Sequence, residues 1–292
     1  MKLAMIGLGK MGGRMAERLR RHGHEVVGFD SHSDSSDVRS LEELRDALGD
    51  AGERVAWSMV PAGEPTESTV DALGELLGEG DIVIDGGNSI WTDSVRRGEM
   101  LAGKGIAFID AGTSGGVWGL DNGYCLMVGG TAEAVARVQP VFDDLAPEGG
   151  FAHVGEVGTG SFTKMVHNGI EYGLMQAYAE GYAILDKSGL GIDAPAALSA
   201  WRQGSVVRSW LLDLLVAALE ENPGLKGIKA VAADSGEGRW TVNEAVRLGV
   251  AAPVISAALF ARFTSQVDDD VSMKVIAALR KQFGGHAVEI EE

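Results

Sequence analysis

The stretch Gly7-Leu8-Gly9-Lys10-Met11-Gly12 constrains this chain more than any other. It follows a run with strand character, Lys2–Ile6, and opens one with helical spacing, Met11–Arg21. In such a strand–turn–helix the first glycine permits the tight turn and the second lets backbone approach a pyrophosphate. The third lets helix and strand pack closely, while free amides at the helix N-terminus attract the anion. Gly7, Gly9, Lys10, Met11 and Gly12 are therefore candidate cofactor-binding residues, a plain glycine turn being the other reading. Asp30 ends the next expected strand, Glu25–Phe29, where a carboxylate accepts hydrogen bonds from ribose hydroxyls and repels a 2′-phosphate. Ser31 offers no guanidinium in compensation, so NAD is expected over NADP. His32 or Arg39 folding back onto a phosphate would reverse that preference, and Asp30 capping its own turn would remove it.

The alternation continues. Helices are expected at Leu41–Leu48, Val70–Leu77, Asp93–Gly103 and Thr131–Leu145, and strands at Val55–Met59, Ile82–Asp85, Ala107–Asp110 and Tyr124–Val128. Strands separated by helices require crossover connections, which predicts a parallel, doubly wound, Rossmann-type α/β domain over residues 1–157. Beyond it the chain reads as an all-α domain over 158–276. Its helices are expected from Ser161 to about Lys187, then at Pro195–Glu221, Thr241–Leu248, Pro253–Gln266 and Val271–Phe283. The cleft between two such domains is the expected ligand site.

Composition narrows the partners. Twenty-five Lys and Arg against 42 Asp and Glu leave a formal net charge of −17, a surface that repels nucleic acid and anionic lipid. An anionic ligand would need a local basic pocket. No apolar run reaches the ~18 residues of a spanning helix, and the start is too short for a signal peptide. A lone Cys125 cannot form an internal disulfide, and no Cys/His spacing suits zinc. A soluble cytoplasmic protein without a metal is expected.

Two loops follow expected strands at their carboxyl ends, where open sheets bind ligands. In Asp85-Gly86-Gly87-Asn88-Ser89, Asn88 can donate and accept at once; in Asp110-Ala111-Gly112-Thr113-Ser114-Gly115-Gly116, the Ser114 hydroxyl and the amides of Gly115 and Gly116 can hold a carboxylate. Either loop can equally be a glycine turn. Lys164, His167, Asn168, Glu171 and Tyr172 fall at helical spacing on one face, with Val166, Ile170 and Leu174 on the other. A partly desolvated lysine can accept a proton near neutral pH and a glutamate in an apolar cleft can donate one; a solvated helix face is the bland alternative. His22 and His24 suit a turn, Asp268–Asp270 a helix N-terminus, and Trp201 and Trp210 helical core or a subunit contact.

Taken together these residues resemble 6-phosphogluconate dehydrogenase, within the β-hydroxyacid dehydrogenase superfamily. Asp85–Ser89, Lys164–Tyr172, Gly238–Thr241, Phe260–Arg262 and Arg280–His286 carry the likeness, and the length resembles the family's shorter form. The resemblance implies NAD-linked oxidation and decarboxylation of 6-phosphogluconate to ribulose 5-phosphate, with Lys164 as general base and then acid, and Glu171 protonating the enediol. It implies that Asn88 touches cofactor and substrate, that Ser114, Gly115 and Gly116 bind the acid end, and that His167 and Asn168 hold hydroxyls. Tyr172, Arg262 and, from a neighbouring subunit's tail (277–292), Arg280 and His286 would meet the phosphate, in a homodimer or homotetramer. Where long members carry a lysine and a threonine, this chain has Ser235 and Glu237. Two other readings stay open: an NAD-dependent dehydrogenase of a small unphosphorylated β-hydroxy acid, and a catalytically idle NAD-binding sensor.

Overall fold

A computed structural model describes residues 1–284 together with Ala287 and Glu289. Through Gly155 the chain alternates strands and helices: β1 (Lys2–Ile6), α1 (Gly12–Arg21), β2 (Glu25–Phe29), α2 (Leu41–Leu48), β3 (Val55–Ser58), α3 (Glu64–Leu76), β4 (Ile82–Asp85), α4 (Trp91–Ala102), β5 (Ala107–Ser114), α5 (Gly119–Asn122), β6 (Cys125–Gly129), α6 (Ala132–Leu145) and β7 (Phe151–Gly155). The seven strands form one sheet in the order β2-β1-β3-β4-β5-β6-β7. Both faces are covered, so the strands are apolar on both sides. Leu3, Met5, Trp57 and Ile84 pack on one face with Met15, Leu19 and Phe142, whereas Ala4, Ala56 and Val83 pack on the other with Leu44, Val70 and Leu101.

The sheet departs from the fully parallel expectation at one place. β5 and β6 pair antiparallel, in a register running from Asp110↔Gly129 to Ser114↔Cys125. Their connection holds a 3-10 turn, Gly116–Trp118, and the single turn α5; a parallel return needs a longer crossover. This pairing also extends β5 to Ser114, past the expected end at Asp110. β7 was not expected. It is a mostly exposed edge strand, pairing parallel with β6, and carries no apolar alternation to mark it.

The remaining helices are α7 (Thr159–Lys187), α8 (Ala194–Trp201), α9 (Trp210–Glu221), α10 (Glu237–Leu248), α11 (Pro253–Thr264) and α12 (Val271–Gly284). The expected single helix over Pro195–Glu221 is two helices. Gly204 takes φ 70°, and the Ser209 hydroxyl accepts from the Leu212 amide to start α9 afresh. α9 buries Leu212, Val216 and Leu219 on one face, but Trp210 is 48% exposed and is not core. α12 continues into the segment expected as tail. The chain divides into two compact units, Met1–His167 and Asn168–Glu292, so the boundary falls inside α7. Among the described residues no helix is long and apolar enough to cross a membrane.

Candidate active site

Chain order reverses direction across β1 and β3, and the glycine loop sits there. Gly7 has φ 88°, and a Cβ on it would lie 2.9 Å from the Met59 carbonyl. A Cβ on Gly12 would lie 2.0 Å from the Gly7 carbonyl oxygen. The fold itself therefore demands these two glycines. Gly9 is different: a Cβ there meets nothing within 4 Å, so the open space above it suits a ligand backbone. No described side chain caps α1, and its first turn holds no acidic residue, which leaves it suited to an anion. Lys10 is exposed beside it. Asp30 serves the loop and its own turn at once: Oδ2 accepts from the Leu8 amide at 2.8 Å and Oδ1 from the His32 amide at 2.9 Å. Each oxygen keeps a lone pair for a ribose hydroxyl. His32 Nδ1 lies 2.9 Å from Ser31 Oγ. These residues fit a dinucleotide.

At the end of β4 the Asp85 carboxylate is buried and shapes the loop that follows. It accepts from the Gly87 amide at 3.0 Å and from Ser89 Oγ at 2.7 Å. Burial pushes its pKa up against these donors and Arg97. Asn88 is exposed at the loop's crest.

Within β5, Asp110 receives the start of α7. Its carboxylate accepts from the Gly158 amide at 2.7 Å and the Ser161 amide at 2.6 Å. A Cβ on Gly112 would lie 2.5 Å from Lys164 Cβ, so α7 presses Lys164 directly across the strand, two residues before Ser114. Ser114 and Gly115 are half-buried and Gly116 is exposed. Burial raises the Asp110 pKa to about 6 although both amides oppose it. Between the ordinary carboxylate value and that pKa the folded chain holds more protons than the unfolded one, so this group's contribution to stability falls as pH rises. The loss is on the order of 3 kcal/mol. Denaturation midpoints from pH 4 to 7 should therefore fall for the wild type relative to Asp110→Asn until about pH 6, then run level. A pH-independent difference would refute this.

The polar stripe of α7 is the buried side. Asn168 is 8% and Tyr172 5% exposed, and Lys164, His167 and Glu171 are half-buried, while Ile170 and Leu174 are 52% and 43% exposed. A solvated face would show the opposite burial. Lys164 and His167 fall in the first compact unit, and Asn168, Glu171 and Tyr172 in the second.

In the second unit Tyr172 anchors a cluster. A Cβ on Gly238 would lie 2.4 Å from its ring, and the Arg262 guanidinium stacks 3.4 Å from the ring centroid. The Tyr172 hydroxyl lies 3.1 Å from Ser235 Oγ and accepts from the Ser235 amide at 3.2 Å. Ser235 Oγ donates in turn to Glu237 Oε2 at 2.6 Å, and Arg239 Nε to Asp234 Oδ2 at 3.0 Å. The Tyr172 hydroxyl lies 3.4 Å from Asp234 Oδ1, and Glu237 joins the cluster through Ser235. Arg280 is exposed on α12, and His286 lies outside the described residues.

Sequence reasoning missed Asp234 and Arg239, whose pairing needs the turn before α10. It also missed Asp110 as the acceptor for α7, and Arg97. An arginine inside a helix gives no local sign that it is buried.

The chain matches the family model of the NAD binding domain of 6-phosphogluconate dehydrogenase over residues 2–158. It matches that of the 6-phosphogluconate dehydrogenase C-terminal domain over residues 160–283. It is 41% identical over 300 residues to the Haloferax volcanii NAD(+)-dependent, decarboxylating 6-phosphogluconate dehydrogenase, covering 99% of this chain and 98% of that protein. The structure is similar to Plasmodium falciparum 6-phosphogluconate dehydrogenase, described with its cofactor NADP+ and its substrate, at TM-score 0.79 and 26% identity. All of this chain is covered, but only 66% of that longer one. It is also similar to Mycobacterium tuberculosis 3-hydroxyisobutyrate dehydrogenase, at TM-score 0.71 and 26% identity over 96% of this chain and 99% of that one.

Proposed function

Because the chain belongs to the 6-phosphogluconate dehydrogenase family, we propose that it oxidises and decarboxylates 6-phosphogluconate to ribulose 5-phosphate and carbon dioxide, with NAD as preferred acceptor. It is an oxidoreductase with an NAD(P)-binding Rossmann domain. One observation carries the reading: α7 buries its polar stripe, with Lys164 pressed across Gly112 next to the Ser114 loop.

A bound nicotinamide supplies the acceptor for the hydride that leaves the third carbon. Lys164 takes the proton of the third-carbon hydroxyl, giving a β-keto acid. Its ammonium then protonates the ketone oxygen as the carboxylate leaves as carbon dioxide, so a metal is not needed to drain the electrons. Glu171 protonates the first carbon of the resulting enediol. Ser114, Gly115 and Gly116 hold the acid end, Asn88 bridges cofactor and substrate, and His167 and Asn168 hold hydroxyls. Tyr172 and Arg262 meet the phosphate, with Arg280 and His286 of a neighbouring subunit. The exposed Ile170 and Leu174 support such self-association.

Gly7, Gly9, Lys10, Met11 and Gly12 hold the pyrophosphate and Asp30 the adenosine ribose. Asp30→Gly combined with Ser31→Arg is expected to move the NAD/NADP ratio of kcat/KM towards NADP by at least about tenfold. An unchanged ratio would place Asp30 away from the ribose.

Glu237 favours a second reading, a small unphosphorylated β-hydroxy acid, because its carboxylate stands in the hydrogen-bonded cluster of Tyr172 and repels a phosphate. Initial rates with 6-phosphogluconate, gluconate and 3-hydroxyisobutyrate, each with NAD and NADP, decide between them. Turnover of 6-phosphogluconate with release of carbon dioxide supports the first; activity confined to 3-hydroxyisobutyrate overturns it.

A further inference from the structure

Asp85, Gly86, Gly87 and Ser89 hold the Asp85–Ser89 loop together. Asp85 accepts from Gly87 and Ser89. A Cβ on Gly86 would lie 2.3 Å from Trp57 Nε1 and 2.5 Å from Met59 Sδ, and one on Gly87 3.1 Å from the Val60 carbonyl oxygen. Only Asn88 is exposed. Beneath them lies Arg97 of α4, 2% exposed. It donates to Ser89 Oγ at 3.0 Å and reaches Asp85 Oδ2 at 3.4 Å, while its Nε donates to Glu67 Oε2 at 3.0 Å. Arg96 grips Glu67 from the other side through two hydrogen bonds of 2.6 Å and, with Arg97, holds the Glu67 pKa down at about 2. One guanidinium thus ties the loop after β4 to both flanking helices.

We propose that Arg97 is a positioning residue that fixes Asn88 for hydride transfer by locking the Asp85–Ser89 loop onto α3 and α4. The proposal rests on the reading above, in which Asn88 touches cofactor and substrate. A buried arginine that served stability alone would need only a carboxylate partner. Arg97 also contacts the hydroxyl next to the exposed amide, and its planar fork makes these contacts together in a way a lysine cannot.

β4 supplies its own control. Asp81, just before the strand, is fully buried and pairs with Arg54 at 3.6 Å; Asp85 closes the other end. Arg54→Met removes a comparable ion pair far along the strand from Asn88 and should lower thermal stability without lowering kcat.

The test is a double-mutant cycle on the full-length enzyme, using whichever of the three hydroxy acids the wild type oxidises. Arg97→Met should lower kcat about 100-fold, the cost of displacing a reacting-centre contact by about an ångström, with NADH affinity by fluorescence nearly unchanged. Arg97→Lys, the safer variant for folding, should lose about tenfold. Adding either change to Asn88→Ala should cost almost nothing further. Additive losses would overturn the proposal, as would a kcat loss in Arg97→Lys no larger than in Arg54→Met. Wild-type oxidation of none of the three acids would overturn the functional reading and this proposal together, whereas oxidation with additive losses overturns this proposal alone.

Discussion

Lys164→Met is expected to reduce turnover about a thousandfold or more while NADH still binds with near wild-type affinity. General-base catalysis contributes roughly 10²–10⁴-fold, and here the same group is asked to act twice, taking the hydroxyl proton and returning it to the ketone. Methionine matches the stem that packs across Gly112, so the fold should tolerate the change. The residues proposed to hold the pyrophosphate and ribose, Gly7–Gly12 and Asp30, lie on the loops after β1 and β2, away from α7. Stopped-flow detection of NADH with saturating substrate separates the two quantities, and the pH profile of kcat/KM should lose its basic-group limb. Turnover within tenfold of wild type would remove Lys164 from the base role and pass the first proton to His167 or Glu171 of the same stripe.

A large stability effect is expected at Gly160. A Cβ there would lie 2.2 Å from the Asp110 carbonyl oxygen, 2.6 Å from that of Met127 and 2.7 Å from the Gly129 amide nitrogen. All three are backbone atoms of paired strands and cannot swing aside. Gly160→Ala must push α7 off β5 and β6, at about 3 kcal/mol or more, or about 6–12 °C in Tm by thermal melt. Because Lys164 rides on the same turn, activity should fall with it. Gly9→Ala is the contrast. With nothing within 4 Å of the new methyl group, Tm should hold while NAD affinity falls. A Gly160→Ala protein that melts with the wild type would mean that α7 does not rest on the sheet as described.

How much of this was legible depends on how far apart the interacting residues stand in the chain. The glycine turn is a local object: φ at Gly7 and the close approach at Gly12 are set within six residues, so the pattern reads directly. The α7 stripe is equally local, since helical spacing alone puts Lys164, His167, Asn168, Glu171 and Tyr172 on one side. Which side is buried is not local. Apolar Ile170 and Leu174 would ordinarily mark the inner face, yet they are the exposed ones. β7 escaped because an exposed edge strand has no alternation to show. The break between α8 and α9 was signalled only by Gly204 and Ser209 within an otherwise helix-forming run.

The amino-acid sequence by itself determined most of the alternation of strands and helices, the tight glycine turn after β1 and the set of polar groups carried by α7, because periodicity and backbone freedom act over a few residues. The tertiary structure alone decided that β6 runs antiparallel and that Asp110 receives α7. It also brought Glu67, Asp85, Ser89 and Arg97 to one point. Those contacts join segments up to 51 positions apart. They exist only once burial of the sheet has excluded water and made an unpaired charge too costly to keep.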